Sequence, residues 1–376
     1  MAKNKKITIA DDAPDPQMVA EARESATEVS KCPACGANLE YSPSECKLVC
    51  AYCGYKEDVD LSRHAEEIDL AQLLRSTGEK WDGEMRAYRC ENCGAKQLIP
   101  RRELAPRCAF CGTSNVVETQ DMCGLRPNAV IPFAFDKKTA AKLTSKWMRK
   151  RLYAPRRFKR DSSYPEELAG NYYPAFTFDS RTSTAYSGVL GKYYYTTHRD
   201  SKGNLHTTRH TRYFAISGTF DHAFDDVFVR ATNEKDGKSL AGIEPFDTSH
   251  PQSYKSDYLF GFSASQYERD GASCWGEARR RMEDYVRKAI LSRYDHDVVQ
   301  VFNTNMRCFN MTYKYLLLPV YVGHCEYKKK NYNFYVNGQT GKVKGKTPKS
   351  PVKILLTVLA GLAVAAGAIL LIALNL

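Results

Sequence analysis

The sequence predicts an α+β protein with two small metal-binding ribbons, a larger strand-rich domain that shows signs of duplication, and one C-terminal transmembrane helix. Three observations predict this fold class. Eight cysteines form two matching sets, β-branched and aromatic runs alternate with turn residues from 124 to 345, and residues 354–376 carry no charge. Each pattern is typical of a different structural class, so the chain is expected to divide into several units.

The composition describes an ordinary folded protein with an uneven charge distribution. The 376 residues suffice for two or three domains. Charged residues make up 26% and hydrophobic residues 43%, which excludes a polytopic membrane protein and a mostly disordered chain. The net charge of +12 is concentrated in two clusters, since residues 137–160 hold eleven basic side chains without an acid and residues 342–353 hold five lysines. The rest of the chain is mildly acidic.

The N-terminal segment points to a reducing compartment. Residues 1–31 contain too few large apolar side chains to build a core, and we expect a disordered tail there. The same segment lacks the apolar run of a secretory signal peptide. The thirteen cysteines are therefore interpreted as those of a cytosolic chain, in which stable disulfides are rare.

Eight cysteines form an internal duplication. Both sets read C-x2-C-x14-C-x2-C, and they are offset by 58 residues throughout. Their flanks repeat as well, with Cys-Gly-Ala after the first pair and Cys-Gly after the second. The pattern predicts one ribbon over residues 32–57 and another over residues 84–116. The predicted ligands are Cys32, Cys35, Cys50, Cys53, Cys90, Cys93, Cys108 and Cys111.

Paired CxxC turns in a cytosolic chain predict a four-thiolate metal site, whereas a disulfide framework is typical of short secreted domains. Two such turns complete a tetrahedron with no open position, so the metal is structural and supplies folding free energy to a module too small to fold alone. Two zinc ions are predicted. Iron in a rubredoxin-like site is the alternative, which the absence of a redox cofactor motif disfavours.

Residues 58–83 are predicted to be a helical linker that joins the ribbons as separate modules. Apolar residues recur there at roughly helical spacing, at Ala65, Ile68, Leu70, Leu73 and Leu74. The linker would then leave each ribbon free to dock a partner of its own.

Residues 124–345 are predicted to form the α+β domain. Strands are expected at 172–178, 184–190, 192–197, 205–219, 226–230, 298–302, 315–325 and 332–336, with hairpin turns at 200–204 and 337–341. One amphipathic helix is expected over residues 137–152, capped by Asp136. Another has an apolar face formed by Trp275, Ala278, Met282, Tyr285, Val286 and Ala289.

A fainter repeat suggests that this domain is duplicated. Residues 171–176 resemble residues 316–321, each with a central proline, and each segment follows an amphipathic helix. Chance similarity between two buried strands is the alternative.

Catalysis has little support in the sequence. The eight histidines are scattered, and the Gly-Lys dipeptides at 237–238 and 345–346 lack the first glycine of a phosphate-binding loop. The protein is therefore predicted not to be an enzyme.

The C-terminal segment predicts a membrane anchor over residues 354–376. Its 21 residues from Ile354 to Leu374 carry no charge and would span about 31 Å as a helix, close to the thickness of a bilayer core. The five lysines immediately before it would remain cytoplasmic, which places the body of the protein in the cytoplasm and the anchor in the cell membrane. Small residues four apart in the segment would permit a homo-oligomer.

The two basic clusters would meet anionic lipid, nucleic acid or solvent. The basic residues predicted to face membrane or phosphate are Lys142, Lys146, Arg149, Lys150, Arg151, Arg156, Arg157, Lys159, Arg160, Lys342, Lys344, Lys346, Lys349 and Lys353.

Taken together, the motifs resemble a known family. The two ribbons, the entry at 126–133 to a basic helix, the strands around Pro174 and Pro319, the hairpin at 337–343 and the apolar terminus are similar to bacterial membrane-anchored TFIIB-type zinc ribbon proteins. These proteins are also loosely labelled primosomal-helicase-like, but no Walker motif supports a helicase here. The resemblance covers most of the chain from residue 32. The long N-terminal tail and a tyrosine-rich insertion at 190–215 depart from it.

Two functions follow as expectations. The resemblance implies a tail-anchored adaptor without enzymatic activity, whose partner is a membrane-associated protein such as an SPFH (band 7) scaffold in envelope stress. The alternative is a membrane-tethered protein that binds nucleic acid through its ribbons and basic cluster.

Overall fold

The computed structural model describes residues 31–59, 63–75, 81, 85–100, 108–109, 113–119, 124–161, 168–232, 240–328 and 330–374. Within these residues the fold is α+β with one large sheet, and the predicted fold class is confirmed at that level. The predicted N-terminal tail lies outside the described residues apart from Lys31.

Fifteen strands and five helices make up the described part of the chain. The strands are β1 (Leu39–Ser42), β2 (Lys47–Cys50), β3 (Lys56–Asp58), β4 (Ile68–Asp69), β5 (Met85–Cys90), β6 (Lys96–Pro100), β7 (Val116–Thr119), β8 (Ala129–Val130), β9 (Leu168–Arg199), β10 (Leu205–Arg230), β11 (Gln252–Ser253), β12 (Ser263–Ser265), β13 (Val298–Tyr327), β14 (Lys330–Asn337) and β15 (Val343–Gly345). The helices are α1 (Leu70–Leu74), α2 (Lys137–Arg149), α3 (Arg156–Asp161), α4 (Gly271–Leu291) and α5 (Pro351–Leu374).

The first ribbon forms a sheet of its own but packs firmly on the body. Strands β1, β2 and β3 pair in that order. The amide of Tyr41 donates a hydrogen bond of 3.1 Å to the carbonyl of Phe260, and its ring meets that of Tyr258 edge to face, with centroids 5.3 Å apart. Leu39 and Leu48 belong to the same buried cluster as Tyr258. The ribbon therefore shares a core with the main domain.

The second ribbon is part of the large sheet. Its central strand β5 pairs with both β6 and β7, and β6 also pairs with β12, placing Leu98 opposite Ala264. Leu98 and Ile99 are both buried. A ribbon of this size has no core that could cover two such adjacent side chains, so the strand is buried against the body. The expectation of two freely jointed modules is thus wrong for the described part of the chain.

In the described part of the linker between the ribbons (residues 58–59, 63–75 and 81), α1 is the one helix. Ile68 and Asp69 form a strand that pairs with β13 opposite Tyr313 and Thr312. Helix α1 follows directly, with Asp69 accepting a hydrogen bond from the amide of Ala71 at its start. The apolar residues predicted to form one helix therefore divide between the two-residue strand β4 and the short helix α1, both of which contact β13.

Three long strands replace the shorter strands that the sequence predicts. Strand β9 runs for 32 residues, and β10 and β13 flank it over most of that length. The strands continue past polar residues that resemble turns in the sequence, because bulges between Phe224 and Val227 and between Phe309 and Thr312 accommodate these residues. The predicted turn at 200–204 is confirmed, since Asp200 and Asn204 close it with a backbone hydrogen bond of 2.9 Å.

The topology supports the predicted duplication. Two units, β8-α2-β9-β10 and β12-α4-β13-β14, follow one another along the chain. Each opening strand pairs in parallel with the long strand of the other unit: β8 lies beside Leu316 and Leu317 of β13, and β12 lies beside Asn171 and Tyr172 of β9. The long strands β9 and β13 pair antiparallel at the centre, with β10 and β14 outside them. This arrangement has the approximate two-fold symmetry expected of a repeated unit.

The two long helices of these units begin in the same way. Asp136 caps α2 by accepting from the amide of Thr139 at 2.8 Å, and Asp270 caps α4 by accepting from the amide of Ser273 at 2.7 Å. Helix α4 buries Ala278, Met282 and Val286 as predicted. Tyr285, which was predicted to lie on the buried face, is exposed; its ring lies tilted beside that of His222 and meets that of Phe224 edge to face.

Helix α5 begins at Pro351 and is described with its side chains as far as Gly367. Within the described part of the chain, no helix is both long enough and apolar enough to span a membrane.

Candidate metal centres and the basic surface

The first cysteine set converges on one point. One sulfur atom from each of Cys32, Cys35, Cys50 and Cys53 lies within 4.8 Å of the others. The Sγ atoms of Cys32 and Cys53 are 3.3 Å apart, and those of Cys35 and Cys50 are 3.5 Å apart. A disulfide would require about 2.05 Å. Four thiolates about 2.3 Å from a tetrahedral zinc ion lie roughly 3.8 Å apart, so the four thiols can hold a metal ion after a small expansion.

The backbone of each CxxC turn is built in the same way. The amide of the first cysteine donates to the carbonyl five residues further on, and in the three turns whose glycine is described that glycine lies in the left-handed region. These bonds join Cys32 to Ala37 (2.7 Å), Cys50 to Tyr55 (2.9 Å), Cys90 to Ala95 (2.9 Å) and Cys108 to Thr113 (2.8 Å). Gly36, Gly54 and Gly94 have φ of 70°, 73° and 76°. Only glycine adopts this conformation without strain, which explains the repeated glycine after each of these cysteines.

Amides directed at sulfur prepare the first set for metal. Hydrogen bonds from the amides of Cys53 and Tyr52 lower the pKa of Cys50 to about 6, although its burial opposes them. The amide of Tyr55 lowers the pKa of Cys53, but hydrogen bonding to the Cys32 thiol and burial raise it more, to about 12. Such N–H···S contacts are the outer-shell bonds that stabilise thiolates around an ion.

The second set repeats this geometry. Cys90, Cys93 and Cys108 lie together, with the Sγ atoms of Cys93 and Cys108 3.6 Å apart. The predicted fourth ligand, Cys111, lies outside the described residues. The three described thiols occupy the positions that the 58-residue offset assigns to Cys32, Cys35 and Cys50. They too can hold a metal ion.

The structure brings the two basic clusters together, which the sequence did not reveal. Lys353 at the start of α5 donates from Nζ to the carbonyls of Leu152 (3.1 Å) and Ala154 (2.7 Å), and the amide of Ser350 donates to the carbonyl of Tyr153 (2.8 Å). Residues 152–154 lie between α2 and α3, which carry the first cluster. Helix α5 therefore begins within the basic surface.

The predicted basic residues take several positions on this surface. Lys142, Lys146, Arg149 and Lys150 are exposed on α2 and its end. Arg151 stacks over the ring of Trp147 at 4.3 Å, and Lys159 donates to the carbonyl of Arg149. Lys342 donates to the carbonyl of Glu244. Arg156, Arg157, Lys344, Lys346 and Lys349 are exposed, and the side chain of Arg160 lies outside the described residues.

An ionic cluster that sequence reasoning missed lies where the sheet bulges. Asp179 of β9 is 8% exposed, and its Oδ1 accepts from the amide of Asp226 at 2.5 Å. Lys314 of β13 is 6% exposed and pairs with Asp226 at 2.8 Å and Glu67 at 3.4 Å. These residues are far apart in sequence. The one feature of the sequence that could have indicated this cluster is Lys314, a lysine inside the otherwise apolar run from Tyr313 to Leu318.

Burial raises the pKa of Asp179 to about 7, although the Asp226 amide and Lys314 lower it. Its unfolded carboxyl titrates near 3.9, so the folded state binds the extra proton and stability falls as pH rises from about 4 to about 7. We therefore expect Asp179→Asn, measured by urea unfolding, to gain stability relative to the wild type as pH rises from 5 to 8. Asp284→Asn on exposed α4 is the control. A constant difference between Asp179→Asn and the wild type over that range would contradict the prediction.

Comparisons with known proteins give little further information. The chain matches no protein-family model and no solved structure. It is similar to the uncharacterized protein YdjG of Bacillus subtilis strain 168, with 26% identity over 325 residues, which cover 86% of this chain and 91% of that protein. The resemblance to TFIIB-type zinc ribbon proteins stays a hypothesis that rests on the motifs.

Proposed function

We propose that the protein is an adaptor without enzymatic activity, rigidified by two zinc ions and held at the cytosolic face of the cell membrane by α5. The observation that carries the proposal is the position of α5, whose first turn is bonded into the basic surface. An apolar helix that emerges among cations matches the boundary between a bilayer core and anionic headgroups.

The described part of α5 exposes apolar side chains around its whole circumference. Leu355, Leu356, Val358 and Leu359 are all more than half exposed, and Val364 continues the pattern further along. At 100° per residue these positions point in all directions. A helix that docks on one protein partner would show a single apolar stripe. Surrounding lipid is the environment that would cover the apolar side chains on every side of the helix.

The loop that receives α5 fits the same surface. Leu152 and Tyr153 are exposed between the basic helices α2 and α3. Aromatic and apolar side chains flanked by lysine and arginine are typical of segments that lie in the headgroup region. The basic surface, the loop and α5 would then meet one membrane together.

Zinc is the metal that we assign to both thiol sets. Four sulfur ligands suit zinc or iron. A set of four thiolates leaves no open coordination position, and the described cysteines adjoin the core, where a structural ion stabilises the fold. Metal analysis with an absorption spectrum distinguishes the two, because thiolate-bound ferric iron absorbs visible light and zinc does not.

The adaptor role rests on rigidity and on an available sheet edge. Both ribbons pack on the body, so a docking surface keeps its shape. In the described residues, β10 pairs only with β9, and its outer edge is open to a partner strand. The resemblance stated above suggests an SPFH scaffold as the partner, and identification of proteins co-purified in mild detergent tests that choice.

Deleting residues 351–376 tests the membrane assignment. We expect the shortened protein to leave the carbonate-resistant membrane fraction, since the body retains only surface charge to hold it there. A quadruple alanine variant of Lys142, Lys146, Arg149 and Lys150 tests the basic surface. In the full-length protein this variant should stay in the membrane. In the protein that lacks residues 351–376 it should weaken binding to anionic vesicles. Carbonate-resistant association of the shortened chain would contradict the proposal.

A further inference from the structure

The hairpin formed by β9 and β10 extends well beyond the rest of the sheet. Strand β13 stops pairing with β9 at Val298, which lies opposite Gly191. From there β9 and β10 pair only with each other in the described residues, from Lys192 opposite Arg212 to Arg199 opposite Leu205. We call residues 192–212 the arm. Its paired part covers eight residues of each strand, or about 26 Å.

Both ends of the arm are ordered by specific bonds. At the base, Lys192 pairs with Asp295, and the amide of Tyr193 donates to Asp297 at 2.7 Å. At the tip, Asp200 accepts from the amides of Lys202 and Asn204, at 2.9 and 2.8 Å. A ribbon fixed at base and tip loses little conformational entropy when it binds a partner.

The arm is strongly cationic. Arg199, Lys202, Arg209 and Arg212 pair with no described carboxylate. The one acid within the arm is Asp200, whose carboxylate is already bonded in the turn and to His206 at 3.0 Å. The free cations therefore face solvent without local compensation, so the arm suits a polyanion.

Aromatic rings hold the guanidinium groups in place. Arg209 lies 4.4 Å above the ring of Tyr193, and Arg212 lies 5.8 Å from that of Tyr194. Tyr194 also stacks on His210, with centroids 5.2 Å apart. Tyr195 is 64% exposed. The rings thus hold the guanidinium groups in position for contact with phosphates.

The cations lie on both faces of the ribbon. Side chains alternate along a strand, so Arg199 and Arg209 share one face while Arg212 lies on the other with His198 and His210. A flat membrane would engage one face only. A groove lined by phosphates on both walls engages both, and the major groove of a duplex, about 12 Å wide, admits a two-stranded ribbon.

The arm and the proposed membrane surface lie toward opposite ends of β9. The opposite end of β9, at Leu168, pairs with Gly323 of β13. Nearby Cys325 packs in the same cluster as Phe158 and Ala154, beside the start of α5. The 24 residues of β9 from Leu168 to Gly191, which separate the two, correspond to about 80 Å of strand. The lipid that surrounds α5 is therefore a poor candidate for the ligand of the arm.

From these observations we propose that the arm inserts into the major groove of double-stranded DNA and binds it through phosphates, independently of base sequence. This interaction goes beyond the adaptor function proposed above, and neither depends on the other. It uses a different surface from the ribbons and the basic helices that the sequence had suggested.

Fluorescence anisotropy of a labelled 20-base-pair duplex, titrated with the full chain in non-ionic detergent from 50 to 200 mM salt, tests this. Removing four cations in Arg199→Ala, Lys202→Ala, Arg209→Ala and Arg212→Ala together should flatten the salt dependence of log K by up to about 3.6, at 0.9 per phosphate contact. The matched control is the alanine variant of Lys142, Lys146, Arg149 and Lys150. It removes four cations elsewhere and should bind the duplex like the wild type.

Vesicles containing phosphatidylserine and poly-glutamate serve as competing anions. The proposal expects the arm variant to bind vesicles like the wild type. It is overturned if the wild type fails to bind the duplex at 50 mM salt, if the arm variant binds it unchanged, or if the arm prefers vesicles or poly-glutamate. Circular dichroism and metal content check the fold. A second variant, in which Asn-Gly replaces residues 194–210, removes the arm through a two-residue hairpin turn and should lose the same binding.

Discussion

Replacing Cys90 by serine should reduce the zinc content from the proposed two ions to one and weaken the whole body of the protein. Structural zinc contributes about 10–16 kcal/mol of apparent binding free energy in small modules, and a site with three thiolates holds the ion far less tightly. We expect the melting midpoint to fall by on the order of 10 °C. Elemental analysis and calorimetry measure the two effects.

The loss should spread beyond the ribbon because β6 belongs to the large sheet. Hydrogen exchange should accelerate at Ala264 and Ser265 of β12, which pair with Leu98 and Gln97. Cys46→Ser is the matched control, since Cys46 is an exposed thiol outside the ligand set. Normal exchange at β12 in a zinc-deficient Cys90→Ser protein would show that the ribbon and the sheet fold independently.

The metal ligands were predictable because their chemistry is local. A CxxC turn closes over a few residues, and the spacing alone predicted that Cys32, Cys35, Cys50 and Cys53 would meet. The cap at Asp136 and the turn at 200–204 depend on equally short segments. Where a feature is determined by residues close in sequence, its pattern can be interpreted without the fold.

The remaining features depend on partners distant in sequence. Ile68 becomes a strand residue only because the edge of β13 passes beside it. The long strands continue through Asp179 because Lys314, which lies 135 residues later in the sequence, helps to offset its charge. The two basic clusters likewise lie side by side because Lys353 donates hydrogen bonds to the carbonyls of Leu152 and Ala154. Periodicity and composition carry no information about such contacts.

The structure also assigns different basic residues to the two proposed interactions, with lipid and with nucleic acid, which the sequence could not distinguish. The sequence offered one set of basic residues for either lipid or nucleic acid. In the structure, the cluster around α2 adjoins the apolar helix, whereas the arginines of the arm lie at the far end of β9. Each cationic surface therefore has its own proposed ligand, and the two quadruple alanine variants should affect them separately.

The second large effect is expected from Lys314→Met. Burial lowers the pKa of Lys314, but its hydrogen bond to Asp226 and the charges of Asp226, Asp179 and Glu67 raise it further, so the ammonium stays charged when folded. Removing it leaves these carboxylates without their shared cation at the bulges of the sheet. Loss of one partner from a buried ion pair costs about 3–5 kcal/mol. Because Glu67 is partly exposed, we expect a value near the lower limit.

Urea unfolding at pH 8 measures this loss, and two further variants identify its cause. Lys192→Met makes the same substitution in an ion pair with Asp295 at the exposed base of the arm, where about 0–1 kcal/mol is expected. Lys314→Met combined with Asp226→Asn should recover part of the loss, because the amide leaves less uncompensated charge. The loss at Lys314 should also shrink on acidification to pH 5, where Asp179 is neutral, since its pKa is about 7. A loss at Lys314 no larger than at Lys192, or one that does not change with pH, would mean that packing rather than charge holds the bulges together.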